Sequence, residues 1–187
     1  FQVSGLSLQP SVSYVYWPAG QVSNVVSLAG TNTYSLDAAE RLTNLTASLA
    51  SFAPLVFNTS YNTNNGLVSA MTCTNTGIFS EYRFDVMDRI TNIVWKNSSS
   101  NVLRSFAYQY NNASMITNIA LEDGTRLGYA YDDVDRLTAE TRSGDQQYAI
   151  DYGWDEVGNR LTKTNGDASV SYSYSNGCNR LTGWNAT

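Results

Sequence analysis

Tyr129-Ala130-Tyr131-Asp132-Asp133-Val134-Asp135-Arg136-Leu137-Thr138 decides how this chain is read. Tyr-x-Tyr alternates with period two and is built from β-formers, so it predicts a strand with both rings on one face. Asp-Asp-Val-Asp follows, and Asp tolerates the positive φ that a tight turn needs. Arg-Leu-Thr then predicts a returning strand. The segment therefore predicts a hairpin, with the Asp132 carboxylate accepting turn N–H groups and Arg136 placed beyond the turn to pair with it.

The same pattern recurs along the chain. Tyr82-Arg83-Phe84-Asp85 leads to Arg89-Ile90-Thr91, and Tyr34-Ser35-Leu36-Asp37 leads to Arg41-Leu42-Thr43. Tyr152-Gly153-Trp154-Asp155 leads to Arg160-Leu161-Thr162 with one added Asn, and Tyr172-Ser173-Tyr174 leads to Arg180-Leu181-Thr182 in the same way. Weaker copies carry Tyr14 and Tyr16, Tyr61, and Tyr108 and Tyr110. Twelve of the 13 tyrosines fall in the two aromatic slots, and the slot after Arg is Val, Leu or Ile in all eight copies. Chance placement does not produce such columns, so residues 1–187 are expected to form one array. Its copies lie near 14–25, 34–46, 59–70, 82–93, 108–119, 129–141, 152–164 and 172–184.

Two strands per copy predict roughly sixteen strands in an all-β antiparallel meander of repeated hairpins, coiled by strand twist into a spiral ribbon or solenoid. Left-handed turn residues are expected at Gly20, Asn65, Asp88, Asp135 and Gly158. Connecting turns are expected at Gly30-Thr31-Asn32, 97–101, Asp123-Gly124, Ser143-Gly144-Asp145 and Asn165-Gly166. Asp37 to Ala50 has some helical character, but repeat phasing assigns it to a hairpin. Leu and Ile in an Arg-Leu-Thr-Asn-Ile return are three apart and share a face only if a bulge intervenes.

Composition narrows the function classes. The 187 residues carry 11 Lys+Arg against 16 Asp+Glu, a net charge of −5, so the basic footprint of a nucleic-acid binder is absent. No apolar run approaches the 18 residues of a membrane-spanning helix. There is no His, which removes His-based triads and most zinc or iron sites. Cys73 and Cys178 form no CxxC and are expected to be separate thiols. Phe1-Gln2-Val3-Ser4 has no basic n-region, so export information is expected elsewhere, or the chain is a mature product or an excised segment. Five Asn-x-Ser/Thr sequons, at Asn44, Asn58, Asn97, Asn112 and Asn185, follow from a composition in which Ser, Thr and Asn make up 59 residues.

The pattern Tyr-x-Tyr-Asp-x-x-Gly-(Asn)-Arg-Leu-Thr resembles the RHS/YD-repeat family over about residues 14 to 184. The resemblance implies a β-strand spiral and an extracellular or cell-surface location. Family members are long proteins whose repeats close into a hollow shell. That shell encloses a toxin in bacterial toxin complexes, and a similar barrel serves adhesion in teneurins. This chain is much shorter than a closed shell, and its last proline is Pro54, so the Asp-Pro plug of toxin members has no counterpart in it.

The residues singled out are the repeat positions Tyr14, Tyr16, Tyr34, Asp37, Arg41, Tyr61, Tyr82, Phe84, Asp85, Arg89, Tyr108, Tyr110, Tyr129, Tyr131, Asp132, Arg136, Tyr152, Trp154, Asp155, Arg160, Tyr172, Tyr174 and Arg180. Their expected role is structural. A repeated Asp slot supplies near-identical environments, whereas a catalytic carboxylate pair needs two unlike ones. Trp17, Trp95 and Trp184 lie outside the aromatic slots and are the candidates for surface binding of sugars or proteins. No cofactor, metal or catalytic group is expected. The function expected is that of a structural extracellular repeat protein. Its strand edges would pair with copies of itself or with flanking repeats of a larger shell. The alternative is a module that binds cell-surface glycans or proteins.

Overall fold

The computed structural model describes residues 11–175 and 177–187. The opening Phe1-Gln2-Val3-Ser4 lies outside them. Sixteen strands follow one another in a single antiparallel sheet whose order is the order of the sequence. The all-β meander of hairpins is thus the observed fold, and the 37–50 segment is a turn followed by strand β4 (Leu42–Leu49).

Two compact units divide the chain, one made of residues 11–89 and 94–103, the other of 90–93 and 104–187. The first holds β1 (Ser13–Tyr16), β2 (Val22–Ser27), β3 (Gly30–Leu36), β4, β5 (Leu55–Tyr61), β6 (Val68–Cys73) and β7 (Ile78–Phe84). Strands β8 (Ile90–Lys96) and β9 (Val102–Tyr110) contribute to both. The second continues with β10 (Ile116–Leu121), β11 (Arg126–Tyr131), β12 (Leu137–Arg142), β13 (Tyr148–Trp154), β14 (Arg160–Asn165), β15 (Ala168–Tyr174) and β16 (Leu181–Ala186).

Register explains the repeat consensus. Tyr131 pairs with Leu137 but Ala130 pairs with Ala139, so Thr138 is an extra, bulged residue. The same one-residue slip follows the second aromatic slot in the hairpins of Tyr16, Leu36, Tyr61, Tyr110, Trp154 and Tyr174. A bulge shifts side-chain parity by one. That is how Leu42 and Leu45 come to the same face although three residues apart. The Thr of the motif is suited to the bulge. Thr43 Oγ1 donates to Ser35 O at 3.1 Å and Thr182 Oγ1 to Ser173 O at 3.0 Å, so the hydroxyl bonds a main-chain carbonyl where the ladder is interrupted.

The turns differ in detail from the sequence expectation. Left-handed residues occur at Gly20, Asp88, Asp135 and Gly158, but Gly66 rather than Asn65 takes the position in the third copy. Glu40 (φ 62°) and Ser114 (φ 65°) also adopt it without being Gly, Asn or Asp. Gly30-Thr31-Asn32 is not a turn. Gly30 opens β3, and the connection is Leu28-Ala29. Its φ of +151° and a close approach to the Ser48 carbonyl account for the glycine. Turns at 50–54 and 74–77 carry no strong dipeptide signal and are additional.

Within each unit the two faces differ. In the first, the row Tyr34–Leu45–Phe57–Cys73–Ile78 is largely apolar. The opposite row Ser35–Asn44–Asn58–Thr72 is polar, with Asn44 Nδ2 donating to Asn58 Oδ1 at 2.8 Å. In the second, Tyr129, Tyr131, Ile150, Tyr152 and Tyr172 share a face, opposite Ala130, Ala139, Asp151, Thr164 and Ser169. Burial is shallow. Ile150, at 9% exposure, is the only buried hydrophobic side chain among the described residues. The chain exposes 12882 Å², against about 8,900 Å² for a globular chain of 20.5 kDa. Among the described residues much of the apolar surface has no second layer.

Candidate functional site

The repeat motif builds two hydrogen-bond devices, one at the turn and one between copies. At the turn, Asp132 Oδ1 accepts from the N–H of Val134 (3.1 Å) and Arg136 (2.9 Å), while Oδ2 accepts from Arg136 Nε at 2.7 Å. Asp37 with Arg41 and Asp85 with Arg89 repeat the arrangement at 2.8 and 2.7 Å. Each carboxylate thus takes three donors from its own turn. In Asp37 and Asp85 the Arg side chain does most to hold the carboxyl below its ordinary value, and in Asp132 the Arg136 backbone N–H does.

The seventh copy divides these roles differently. Asp155 accepts from the backbone N–H of Val157 and Asn159 and from Asn159 Nδ2, all at 2.7–3.1 Å. Desolvation pushes its carboxyl up, but the Asn159 bonds outweigh this and the net shift is downward. The added Asn therefore takes the place of Arg at the clamp. Arg160 is moved one residue on, with its guanidinium 4.5 Å from the Tyr172 ring centroid and 5.9 Å from that of Tyr152. Its Nε is buried without a hydrogen-bond partner, a cost offset by stacking between two rings. Arg180, in the last copy, is exposed.

Between copies, the polar tip of the second aromatic reaches back to a main-chain carbonyl at the start of the preceding return strand. Tyr61 Oη donates to Leu42 O (2.8 Å), Tyr110 to Ile90 O (2.6 Å), Tyr131 to Ile116 O (2.8 Å) and Tyr174 to Arg160 O (3.0 Å). Trp154 makes the same bond to Leu137 O through Nε1, at 2.8 Å. Phe84 and Leu36 occupy this slot without a donor. The Arg side chains add a second link. Arg41 Nη1 donates to Gly66 O at 3.3 Å and Arg136 Nη1 to Asp155 O at 2.5 Å, each reaching the next copy's turn. Arg41 also lies 4.3 Å from the Tyr61 ring centroid. One copy therefore positions the next through a ring, a hydroxyl and a guanidinium.

Within each unit the first-slot rings share a face, Tyr34 and Tyr82 in the first and Tyr108, Tyr129, Tyr152 and Tyr172 in the second. Tyr34, Tyr82, Tyr108, Tyr129, Tyr152 and Tyr172 are all half-buried, and desolvation pushes the Tyr108, Tyr129 and Tyr152 phenols up. Tyr14 and Tyr16 stand on β1, which among the described residues pairs only with β2, and remain 55% and 57% exposed. The three tryptophans outside the slots are not brought together. Trp17 lies in the first hairpin turn and is exposed. Trp95 is half-buried beside Phe57, Met71, Phe79 and Tyr82. Trp184 stands on β16, opposite Tyr172, 68% exposed. Cys73 and Cys178 are free thiols.

Sequence reasoning placed the Asp and Arg at one turn but missed the inter-copy bonds. The signal was available in the choice of residue: a slot that takes Tyr and Trp in six of eight copies selects a donor as well as a ring.

No protein-family model and no curated protein matches the sequence. Solved structures do match its fold. The crystal structures of TcdB2-TccC3 and of TcdB2-TccC3-Cdc42 each align at a TM-score of 0.78 and 16% identity, over 92% of this chain and 10% of that chain. The Photorhabdus luminescens Tc holotoxin pore aligns at 0.78 and 16%, over 91% and 10%. Such Tc toxin structures contain RHS/YD-repeat shells, and this chain has that β-repeat shell fold. It spans about a tenth of the chains it matches.

Proposed function

We propose that this chain is a structural wall element of an RHS-type shell, acting outside the cell or at its surface. Its strand edges join it to more of the same sheet, whether another copy of itself or flanking repeats. The observation that carries this is the bonding between copies: at five junctions a copy presents a carbonyl that a ring of the next copy completes, and at two of them a guanidinium reaches the next turn as well. Such a design propagates and has no inherent stop.

Three features support the reading. The area left exposed exceeds that of a globular chain by about 4,000 Å². Among the described residues β1 and β16 each have one hydrogen-bonded neighbour, with Tyr14, Tyr16, Leu181 and Trp184 exposed on them. Hairpin tips carry exposed apolar side chains, namely Val86 and Met87 in one unit and Val134 and Val157 in the other, where turn geometry asks only for small or polar residues. The role is one of shape rather than catalysis, because the carboxylates are consumed by their own turns.

Negative-stain electron microscopy over a concentration series tests the edge pairing. Filaments or rings that lengthen with concentration are expected. A strictly monomeric particle at high concentration refutes self-association. A glycan role resting on Trp17, Trp95 and Trp184 predicts that Trp184→Ala and Trp95→Ala weaken carbohydrate binding on a glycan array. The exposure of Trp184 on a strand with one neighbour favours the wall reading instead.

A further inference from the structure

We infer that the second copy carries a binding site for a phenol ring, formed where its ladder rung is missing. At the rung between the second and third copies, the Tyr61 ring fills the space beside Leu42, its hydroxyl bonds Leu42 O at 2.8 Å, and Arg41 stacks on it. The corresponding residues one copy earlier are Leu36, Val22 and Gln21. Leu36 is the only non-aromatic residue in the second slot, and Gln21 stands in the Arg slot.

The substitution leaves a recess. Two depressions, of about 440 and 350 Å³, share Gln21, Leu36 and Glu40. The larger is also lined by Tyr14, Val22 and Tyr34, and the smaller by Trp17. These volumes lie in the range of small-ligand sites, and the walls combine apolar side chains with a few polar groups. Four tyrosines and a tryptophan elsewhere in the chain show what completes this position: an aromatic ring whose donor points at the carbonyl that begins the return strand. At the recess that carbonyl is Val22 O. A para-substituted phenol is the simplest group that supplies both ring and donor. Its ring would lie against Leu36 and Tyr34, its hydroxyl would donate to Val22 O, and its para substituent would leave towards solvent. Gln21 and Glu40 add acceptors at the rim for an amide or ammonium carried by that substituent. The ligand is therefore a free phenol or the tyrosyl side chain of a peptide. This holds whether or not the chain serves as a wall element.

The test is a titration of the full chain, followed by backbone amide NMR shifts, with p-cresol, toluene and N-acetyltyrosinamide. p-Cresol is expected to bind with a Kd on the order of 1 mM, shifting the amides of Val22, Leu36 and Leu42. Toluene, of similar shape without the donor, should bind about three- to tenfold more weakly. Leu36→Tyr supplies the ring in cis and should abolish the response. Tyr61→Leu opens an equivalent recess at the next rung and should create a second set of shifts around Leu42. Tighter binding of N-acetyltyrosinamide than of p-cresol assigns the site to a peptide tyrosine, and the reverse order to a free phenol. Absence of local shifts at about 10 mM p-cresol, or equal affinity for toluene, overturns the proposal. The wild-type titration decides the matter even if Leu36→Tyr fails to fold.

Discussion

Tyr131→Phe isolates one rung of the ladder. The substitution removes a single oxygen and leaves the ring, so it opens no cavity and changes no turn. What is lost is the 2.8 Å bond to Ile116 O in a half-buried setting. A neutral hydrogen bond contributes about 1 kcal/mol net, rising to about 3 kcal/mol if the stranded carbonyl stays dry. For a chain of this size, 1 kcal/mol lowers Tm by about 2–4 °C. Urea unfolding should show the loss as a lower midpoint at an unchanged slope, since the buried area is the same. Tyr61→Phe removes the equivalent rung in the other unit and should cost a similar amount. The two should add, because the sites share no partners. Tyr14→Phe is the control: Tyr14 is 55% exposed, so a change below about 0.5 kcal/mol is expected. If Tyr131→Phe unfolds like the parent, or Tyr14→Phe costs as much, then the hydroxyls do not bind the copies together.

Phe84 lacks the donor of its slot, and Phe84→Tyr should direct a hydroxyl at Val68 O, the carbonyl that begins the preceding return strand, and raise stability by about 0.5–1 kcal/mol, read from the urea midpoint. Gly30→Ala should cost about 3 kcal/mol or more, because the new methyl meets the Ser48 carbonyl and φ is +151°; a stable Gly30→Ala protein would show that β3 does not pack on β4 in this way. Acid should destabilise the fold. Asp37, Asp85, Asp132 and Asp155 are all held below the ordinary value of 3.8. A carboxyl depressed on folding contributes stability that is fully present above the unfolded pKa and is lost as pH falls through the folded one. Unfolding midpoints should therefore be flat above about pH 5 and decline below about pH 4, and Asp132→Asn should flatten that decline.

Most of the fold was legible in the sequence because it is written eight times. A strand that alternates Tyr-x-Tyr, a turn, and a return through Arg-Leu-Thr are local preferences, and repetition removes the ambiguity that a single short apolar run leaves. Hence the sixteen strands, the antiparallel order and the strand at Leu42–Leu49 follow from residue order alone. The turn clamps are also local, since Asp132 and Arg136 are four residues apart and joined through one hairpin. Where the expectation slipped, the cause was again local geometry. Gly30 serves a close approach to the Ser48 carbonyl rather than a turn, and the left-handed site of the third copy falls on Gly66, one residue beyond Asn65.

What the sequence could not settle depends on groups that meet across strands. Register decides that Thr138 is a bulge, and only the bulge turns Leu42 and Leu45 to one face. The bond from Tyr131 to Ile116 O, the stacking of Arg160 on the Tyr172 ring, and the recess left by Leu36 all join residues from different strands or copies. Repetition determined the strands, their order and the local clamps. Tertiary structure alone decided how each copy holds the next, because a hydrogen bond to a main-chain carbonyl leaves no mark on the identity of the residue that accepts it.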